Sequence, residues 1–237
     1  MVHFSELRVD QEYFCQQGLS LYKTPSCESL VTQAAVGRHL HFLAVPAAIP
    51  KALHVCLCED DYPGWLAAAA IQHLTPAAQE YAPQSPTTAD IQTLIPAIIG
   101  FAREAMAVPN TYLWGGTLGP HYDCSGLMQA AFASVGVMLP RDSYQQEAFT
   151  EPVAIAERQP GDLLFFGTRD RTTHVALYLG AGNYIHSSGK DQGRNGIGID
   201  SITDRTDPVS RTYYEQLRGA GRVTRSYQPQ KRPMPCR

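Results

Sequence analysis

The sequence predicts an α+β protein of two domains, and three stretches of its 237 residues carry that prediction. Short β-type runs separated by turns occupy residues 1–75, which favours a small all-β barrel. Residues 76–89 are rich in proline and small polar residues, which indicates a linker. Residues 90–228 begin with helical periodicity and continue with strand-like runs, an order typical of an α+β domain. The last residues, 229–237, are predicted to form a flexible tail.

The β-type runs of the first domain are short apolar stretches bounded by turn residues. The clearest of them cover residues 19–22, 39–43 and 54–58. The segment Asp61–Trp65 follows the last run and has the composition of a turn leading into a packed tryptophan.

Helical periodicity marks two segments of the second domain. In residues 90–107 the apolar residues share one face, and Pro96 should either kink this helix or begin its main part. A second helix is predicted after Asp123, a favourable N-cap, with Gly136 at its end. Its apolar and small residues recur at the spacing of one face: Leu127, Ala130, Ala131, Ser134 and Val135.

This second helix places Cys124 in its first turn. Backbone N–H groups and the positive end of the helix dipole stabilise a thiolate at such a position. The neighbouring negative charge of Asp123 acts against the thiolate, so the site requires a cationic partner. A lone cysteine beside small residues is more often a buried apolar group than a nucleophile, and only a partner would change that interpretation.

A predicted hairpin supplies imidazole groups. Strand-like runs end and begin around Gly180–Gly182, and His174 and His186 each lie six residues from Gly180. Antiparallel pairing about this turn places both side chains on the same face of the sheet, about 5 Å apart at Cβ. One imidazole could then act as a base on Cys124 while the other orients it.

Five motifs give the chain a resemblance to bacterial cell-wall cysteine peptidases of the NlpC type, a papain-like group. They occur in the family's order within residues 90–225: Tyr112–Gly116, Asp123–Gly126, Pro160–Leu163, His174–Val175 and Ile185–His186. The resemblance implies a papain-like fold with Cys124 as nucleophile, His174 as general base and His186 as the third member. It also implies that the Tyr112 hydroxyl supports the oxyanion. Asp123 and Ser125 would contact the substrate. We expect Trp114, within the first motif, to pack in the core.

The first domain resembles the bacterial Src-homology-3-like modules that accompany these peptidases. The resemblance rests on residues 19–25, 37–40 and 60–65. In relatives with this domain pair, a tyrosine and an acid of the barrel recognise the free amino terminus of the peptide. Tyr62 and Asp61 would hold those places, unless the segment is only a turn. The enzyme would then accept only unlinked peptides, because an attached sugar would leave the carboxylate unpaired.

Composition limits the other functions. A net charge of −3 gives no support for nucleic acid as a partner. No stretch is apolar over the length of a membrane span, and residues 1–8 lack the apolar core of a secretory signal, so we expect a cytoplasmic protein without a membrane partner. The six cysteines show no disulfide spacing and are expected to be reduced and buried. Cys56 and Cys58 could bind metal as a pair, but no second pair matches them, so we expect no metal or cofactor.

The resemblance, together with these features, implies hydrolysis of the γ-D-glutamyl bond to a diamino acid in murein peptides that begin with free L-Ala, for recycling or detoxifying wall fragments. An acyltransferase or amidase could use the same Cys–His–His set. A binding module with an inactive second domain, and a secreted wall-remodelling enzyme, are further alternatives. The choice between diaminopimelate and lysine, the oligomeric state and any contact of Arg141 or Asp142 with substrate stay open. The resemblance points to a bacterial source.

Overall fold

A computed structural model of the chain describes residues 2–204 and 206–230. Within them the chain forms two compact units. Among the described residues, the first unit comprises residues 2–83 together with residues 227–230, and the second unit lies within residues 84–226. The chain therefore leaves the first unit inside the predicted linker and returns to it after residue 226. The rest of the predicted tail, residues 231–237, lies outside the described residues.

The first unit is all-β apart from two 3₁₀ turns, Phe4–Glu6 and Ala68–His73. Its described strands form one antiparallel sheet in the order β3-β2-β6-β5-β4-β1-β7. Alternate side chains of these strands point inward, and Leu21, Leu40 and Val55 are fully buried. The strands are β1 (Glu12–Cys15), β2 (Leu19–Tyr22), β3 (Leu30–Ala34), β4 (His39–Phe42), β5 (Ala52–Leu57), β6 (Pro63–Ala67) and β7 (Leu74–Pro76).

The second unit begins with α1 (Thr88–Ala107), a continuous helix that contains Pro96. A reciprocal capping box starts it, in which the Thr87 hydroxyl accepts from the Asp90 N–H and the Asp90 carboxylate accepts from the Thr87 N–H. Its buried face consists of Ile91, Ile95, Ile98 and Ala102. The next elements are the two-residue strands β8 (Thr117–Leu118) and β9 (His121–Tyr122), then α2 (Cys124–Ala133) and α3 (Ser143–Phe149).

A six-stranded sheet, ordered β10-β15-β11-β12-β13-β14, forms the rest of the second unit, with neighbouring strands antiparallel. Short 3₁₀ turns interrupt it at Ile155–Glu157 and Lys190–Gln192. The strands and last helix are β10 (Glu151–Val153), β11 (Leu163–Gly167), β12 (Thr172–Gly180), β13 (Asn183–Ser188), β14 (Gly196–Ser201), α4 (Pro208–Glu215) and β15 (Leu217–Arg222).

The central strands β11 and β12 are buried on both faces, and their sequences are accordingly nearly continuous apolar runs. Leu163, Phe165 and Val175 point to the face covered by α1 and α2. Leu164 and Phe166 point to the opposite face, where Tyr213 of α4 packs. Burying each such side chain contributes about 1.5–3 kcal/mol, so burial on both faces stabilises the part of the sheet that carries His174.

Within the described residues, no helix combines the length and the apolarity needed to cross a membrane.

Candidate active site

Cys124 is the first residue of α2, as the sequence predicts, and Asp123 is its N-cap. The Asp123 carboxylate accepts a hydrogen bond of 2.7 Å from the Gly126 N–H, which satisfies one of the unpaired donors of the first turn. Cys124 is 6% exposed, and its sulfur accepts hydrogen bonds from the backbone N–H groups of Ser125 and Val175. Because Val175 follows His174 on β12, the thiol lies against the strand that carries the predicted base.

The resting thiol of Cys124 is protonated. Burial, followed by the charge of Asp123, raises its pKa to about 12. The two backbone N–H groups and the charge of Arg141 act in the opposite direction but do not outweigh burial. The site therefore holds a neutral thiol that needs a base at the moment of attack, rather than the thiolate expected from the helix N-terminus alone.

His174 and His186 form the next link. Nε2 of His174 lies 2.7 Å from Nδ1 of His186, with the two rings nearly perpendicular. The register differs from the one predicted: Leu177 pairs with Ile185 and Tyr178 with Tyr184, which sets the histidines on a diagonal rather than directly opposite. The difference amounts to two residues, and since the side-chain period of a strand is two, both rings keep the same face.

Asp200 of β14 is the next member of this hydrogen-bonded series, and it was not predicted from the sequence. Its Oδ2 lies 2.6 Å from Nε2 of His186, and Arg194 forms an ion pair with both of its carboxylate oxygens. Asp200 lies in none of the recognised motifs, and only the pairing of β13 with β14 brings it beside His186. The sequence feature that could have identified Asp200 is its place in a strand of alternating residues, two positions after Gly198.

Burial determines the charge state of the two histidines. It lowers the pKa of His174 well below its usual value, and the proximity of His186 lowers it further. Burial also lowers the pKa of His186, although the hydrogen bond and charge of Asp200 partly oppose this. Burial raises the pKa of Asp200, but hydrogen bonds from His186 and Arg194 outweigh it and hold the pKa below the usual value. At neutral pH the site thus contains two neutral imidazoles and one carboxylate.

Tyr213 of α4 is a second residue that sequence reasoning missed. Its ring packs on His174 with centroids 4.5 Å apart and contacts the edge of His186 at 4.8 Å. Its hydroxyl shares a 2.6 Å hydrogen bond with the Ser188 hydroxyl. Burial raises the pKa of Tyr213, so its hydroxyl stays protonated at neutral pH.

Tyr112 also lies close to the thiol. Burial raises the pKa of its hydroxyl, and the charges of Cys124 and Asp123 raise it further. The hydroxyl therefore stays protonated and can donate a hydrogen bond, which its predicted role beside the oxyanion requires.

Trp114 contradicts the sequence expectation. Its side chain is 72% exposed instead of packed in the core. The loop turns at Gly115, which has a φ of +80°, and the backbone closes on the site through Gly116, whose carbonyl accepts from the Asp123 N–H. Leu113 is also 37% exposed, so the anchors of this loop are its backbone and Tyr112, whereas its apolar side chains stay outside.

The side chains of Asp123 and Ser125 are occupied within the protein. Arg141, 2% exposed, donates to both carboxylate oxygens of Asp123 and to the Ser125 hydroxyl. The Gly115 N–H donates to Asp123 as well, at 2.8 Å. The contacts of Asp123 and Ser125 with substrate stay predictions, and the structure gives both residues a part in fixing the start of α2. Asp142, whose contact with substrate was left open, donates its N–H to Gln145 in the first turn of α3.

Asp61 and Tyr62 belong to the first unit. The Asp61 carboxylate accepts hydrogen bonds from the Tyr227 hydroxyl, at 3.1 Å, and from the Gln230 N–H, at 2.7 Å. Asp61 has a φ of +53°, an uncommon conformation outside glycine that marks a tight turn. Recognition of a peptide amino terminus by this pair stays a prediction.

Five cysteines of the described residues are free: Cys15, Cys27, Cys56, Cys58 and Cys124. Cys27 is partly exposed, whereas the others are buried as expected. The sixth, Cys236, lies outside the described residues. In residues 2–204 and 206–230, no group of three or more His, Cys, Asp or Glu side chains is placed to hold a metal ion.

Comparison with known proteins agrees with this architecture. Residues 109–218 match the NlpC/P60 family, and residues 21–71 match the bacterial dipeptidyl-peptidase Sh3 domain. Both matches agree with the resemblances drawn from the motifs and occur in the same order along the chain.

Named relatives match part of the chain. A probable endopeptidase p60 of Listeria seeligeri is 40% identical over 93 residues, 39% of this chain and 17% of that protein. The γ-D-glutamyl-L-lysine dipeptidyl-peptidase of Bacillus subtilis (strain 168) is 35% identical over 108 residues, 44% of this chain and 33% of that protein. The chain thus spans a third or less of the length of these curated relatives. A solved NlpC/P60 family protein from Bacillus cereus is 23% identical, with a TM-score of 0.49 over 93% of this chain and 66% of that one.

Proposed function

We propose that the chain is a cysteine endopeptidase that hydrolyses the γ-D-glutamyl bond to a diamino acid in murein peptides. The observation that carries the proposal is the 2.7 Å contact between His174 and His186 behind the buried thiol of Cys124. Nucleophile, base and orienting group are the three parts of a nucleophilic hydrolase, and they follow one another here in that order.

The first half of the reaction forms a thioester. As the Cys124 sulfur attacks the γ-carbonyl carbon, its proton passes to the neutral imidazole of His174. The negative charge on the carbonyl oxygen meets the Cys124 N–H and the Tyr112 hydroxyl. The imidazolium of His174 then donates its proton to the leaving amine, and the C–N bond breaks.

The second half returns the enzyme to its starting state. A water molecule attacks the thioester carbonyl while His174, neutral again, accepts a proton from it. The carbon–sulfur bond breaks, the thiol regains its proton from His174, and the γ-D-glutamyl product leaves as a carboxylic acid, which loses its proton to solvent. No step requires a redox change or a metal ion.

The substrate is proposed to be a free peptide that begins with L-Ala. Asp61 and Tyr62, inside the segment that matches the dipeptidyl-peptidase Sh3 domain, would recognise its ammonium group. Asp61 already accepts bonds from Tyr227 and Gln230, so the ammonium would join or displace them. An N-acetylated or sugar-linked peptide lacks this cation and should be rejected.

The decisive experiment is mass-spectrometric assay of the purified chain on L-Ala-γ-D-Glu-meso-diaminopimelate, its lysine counterpart and the N-acetylated forms. Cleavage of the free peptides only, abolished in Cys124→Ala, is the expected result. Equal cleavage of acetylated peptide would remove the role given to Asp61 and Tyr62. Amide products with added amines would indicate an acyltransferase instead, and turnover of intact sacculi would indicate a wall-remodelling enzyme.

A cytoplasmic role in recycling wall peptides completes the proposal. Its support is chemical: each of the five cysteines among the described residues is free, which suits a reducing compartment. Fractionation of cells that express the native chain, with the protein followed by antibody, tests it. Recovery outside the membrane-enclosed fraction would contradict it.

A further inference from the structure

Asp200 differs from the other groups of the site because it touches neither the thiol nor the predicted base. It is 5% exposed and contacts the site only through Nε2 of His186, 2.6 Å away. Arg194 donates from Nε and Nη2 to its two oxygens, which holds the carboxylate in one orientation. A buried, clamped carboxylate of this kind restricts the imidazole that it faces.

At neutral pH only one set of tautomers of His186 and His174 satisfies these hydrogen bonds. An ionised carboxylate only accepts hydrogen bonds, so Nε2 of His186 must carry the proton. The neutral ring of His186 then has an unprotonated Nδ1, which can only accept from Nε2–H of His174. His174, also neutral, therefore has no proton on Nδ1.

We propose that Asp200 is a positioning residue that sets the tautomers of His186 and His174. It leaves Nδ1 of His174 ready to accept the proton of the Cys124 thiol. The inference rests on the proposed function for its catalytic consequence, but the tautomers themselves can be measured without any substrate.

Among the contacts that the structure describes, no carboxylate other than Asp200 lies against His174 or His186. Nδ1 and Nε2 of His186 are taken by His174 and Asp200, and its ring edge meets two tyrosines. Burial raises the pKa of both Tyr184 and Tyr213, so neither contributes charge. The groups that face His186 are His174 from β12, Tyr184 from β13, Asp200 from β14 and Tyr213 from α4, and Arg194 from the loop before β14 faces Asp200.

Gly198 leaves room for the Arg194 side chain beside Asp200. It pairs with His186 across the β13–β14 ladder, and a Cβ there would overlap the Arg194 guanidinium. The absence of a side chain opposite the histidine thus opens the space that the clamp occupies.

The first test is direct observation of the tautomers in the unmodified protein. Long-range ¹H–¹⁵N correlation spectra of ¹⁵N-histidine-labelled chain at pH 7.5 should show both residues protonated at Nε2. His174→Gln and His186→Gln variants assign the signals. A proton on Nδ1 of either ring in the free protein would overturn the proposal.

The second test is Asp200→Asn, which changes charge but hardly any volume. The Arg194 donors attract the amide oxygen, so the amide NH₂ group turns towards His186 and reverses both tautomers. Protonated Nδ1 of His174 cannot accept the thiol proton. The kcat should fall about 10²–10⁴-fold with KM little changed, since loss of the correct tautomer has effects of this size in a related triad.

The third test separates tautomer control from a structural role. Arg194→Met alone leaves the carboxylate to hold His186 and should cost less than about tenfold in kcat. In the double variant Asp200→Asn/Arg194→Met, the amide oxygen is free to face His186 and restore the tautomer. The double variant should therefore be more active than Asp200→Asn.

Two outcomes would contradict the inference. Unchanged tautomers in Asp200→Asn would remove the proposed control, and a double variant less active than Asp200→Asn would point to simple loss of packing. The rate of Cys124 alkylation by iodoacetamide is followed in parallel and should fall in Asp200→Asn. If the unmodified protein shows the expected tautomers and alkylation but no peptide cleavage, the proposed function fails and the inference stands.

Discussion

The guanidinium of Arg141 donates to both carboxylate oxygens of Asp123, at 3.2 Å from Nη1 and 2.6 Å from Nη2. Both side chains are almost completely buried, and Cys124 follows Asp123 directly in the chain. Arg141 therefore partly compensates the negative charge that raises the thiol pKa. Arg141 is the cation nearest to the start of α2 in the contacts described above, and it lies 16 residues beyond Ser125, to which it also donates.

Replacing Arg141 with Met should leave Asp123 buried and unpaired. We expect a loss of about 3–5 kcal/mol in the free energy of unfolding, the usual cost of breaking one side of a buried ion pair. The thiol pKa should also rise further, because Arg141 lowers it. Urea unfolding measures the first effect, and the pH dependence of iodoacetamide alkylation measures the second.

The matched control is the double variant Asp123→Asn/Arg141→Met, which removes both charges. It should be more stable than Arg141→Met, since no uncompensated charge stays in the interior. A double variant at least as unstable as the single one would show that the pair contributes through packing alone.

Stability should decrease as the pH falls below about 6.5, the usual pKa of histidine in an unfolded chain. Burial lowers the pKa of His174 and of His186 in the folded protein. Between the folded and unfolded values the unfolded chain binds more protons, so acid favours unfolding. Each histidine should contribute a slope of about 1.4 kcal/mol per pH unit within that window, and none above it.

Urea unfolding between pH 8 and pH 5 tests this slope against the variant His174→Gln/His186→Gln. The variant should show a shallower dependence because it lacks the two buried imidazoles. Identical slopes would mean that other groups cause the acid sensitivity.

Tyr112→Phe should reduce kcat about 10²–10³-fold, the usual effect of removing one oxyanion donor. The hydroxyl stays protonated at neutral pH because burial raises its pKa. Stopped assays on the free tripeptide provide kcat and KM. Tyr144→Phe, which removes the hydroxyl of a tyrosine with 41% exposure, is the control and should change kcat little. Equal effects of both substitutions would remove Tyr112 from the oxyanion site.

Gly126→Ala should destabilise the second unit severely, whereas Gly100→Ala should not. A Cβ at Gly126 would overlap the carbonyl oxygen of Gly116, and both partners are backbone held in place by Asp123. Overpacking of this kind costs about 1–3 kcal/mol or more. At Gly100, inside α1, no atom lies within 4 Å of the position that a Cβ would take, so alanine there should stabilise by about 0.5–1 kcal/mol. Thermal unfolding of the two variants compares them, and a stable Gly126→Ala would refute the close approach.

The predicted hairpin shows how far the sequence could lead. Equal spacing of His174 and His186 about Gly180 put both rings on one face, and the structure brings them to 2.7 Å. The register that sequence suggested was nonetheless wrong by two residues, because a shift at Tyr178–Gly180 alters the pairing. A shift by two residues changes which residues pair, but each side chain stays on the same face of the sheet.

Features that depend on distant elements escaped sequence reasoning. Asp200 meets His186 only because β14 pairs with β13, and Tyr213 arrives from a helix beyond that strand. The exposure of Trp114 was not predicted either, since the sequence around it shows no periodicity that would assign its side chain to the core or to the surface. Local motifs identify the reactive groups, whereas the groups that support them follow from strand order.

Because residues 227–230 belong to the first unit, that unit is completed on the ribosome only after the second unit has been synthesised. Asp61 is synthesised early, but its partners Tyr227 and Gln230 leave the ribosome only after the whole second unit. During translation, therefore, the Asp61 carboxylate lacks these two partners until the second unit has been made in full. A nascent chain halted at residue 226 would contain every group of the candidate active site. It would still lack the hydrogen bonds that Tyr227 and Gln230 donate to Asp61 in the first unit.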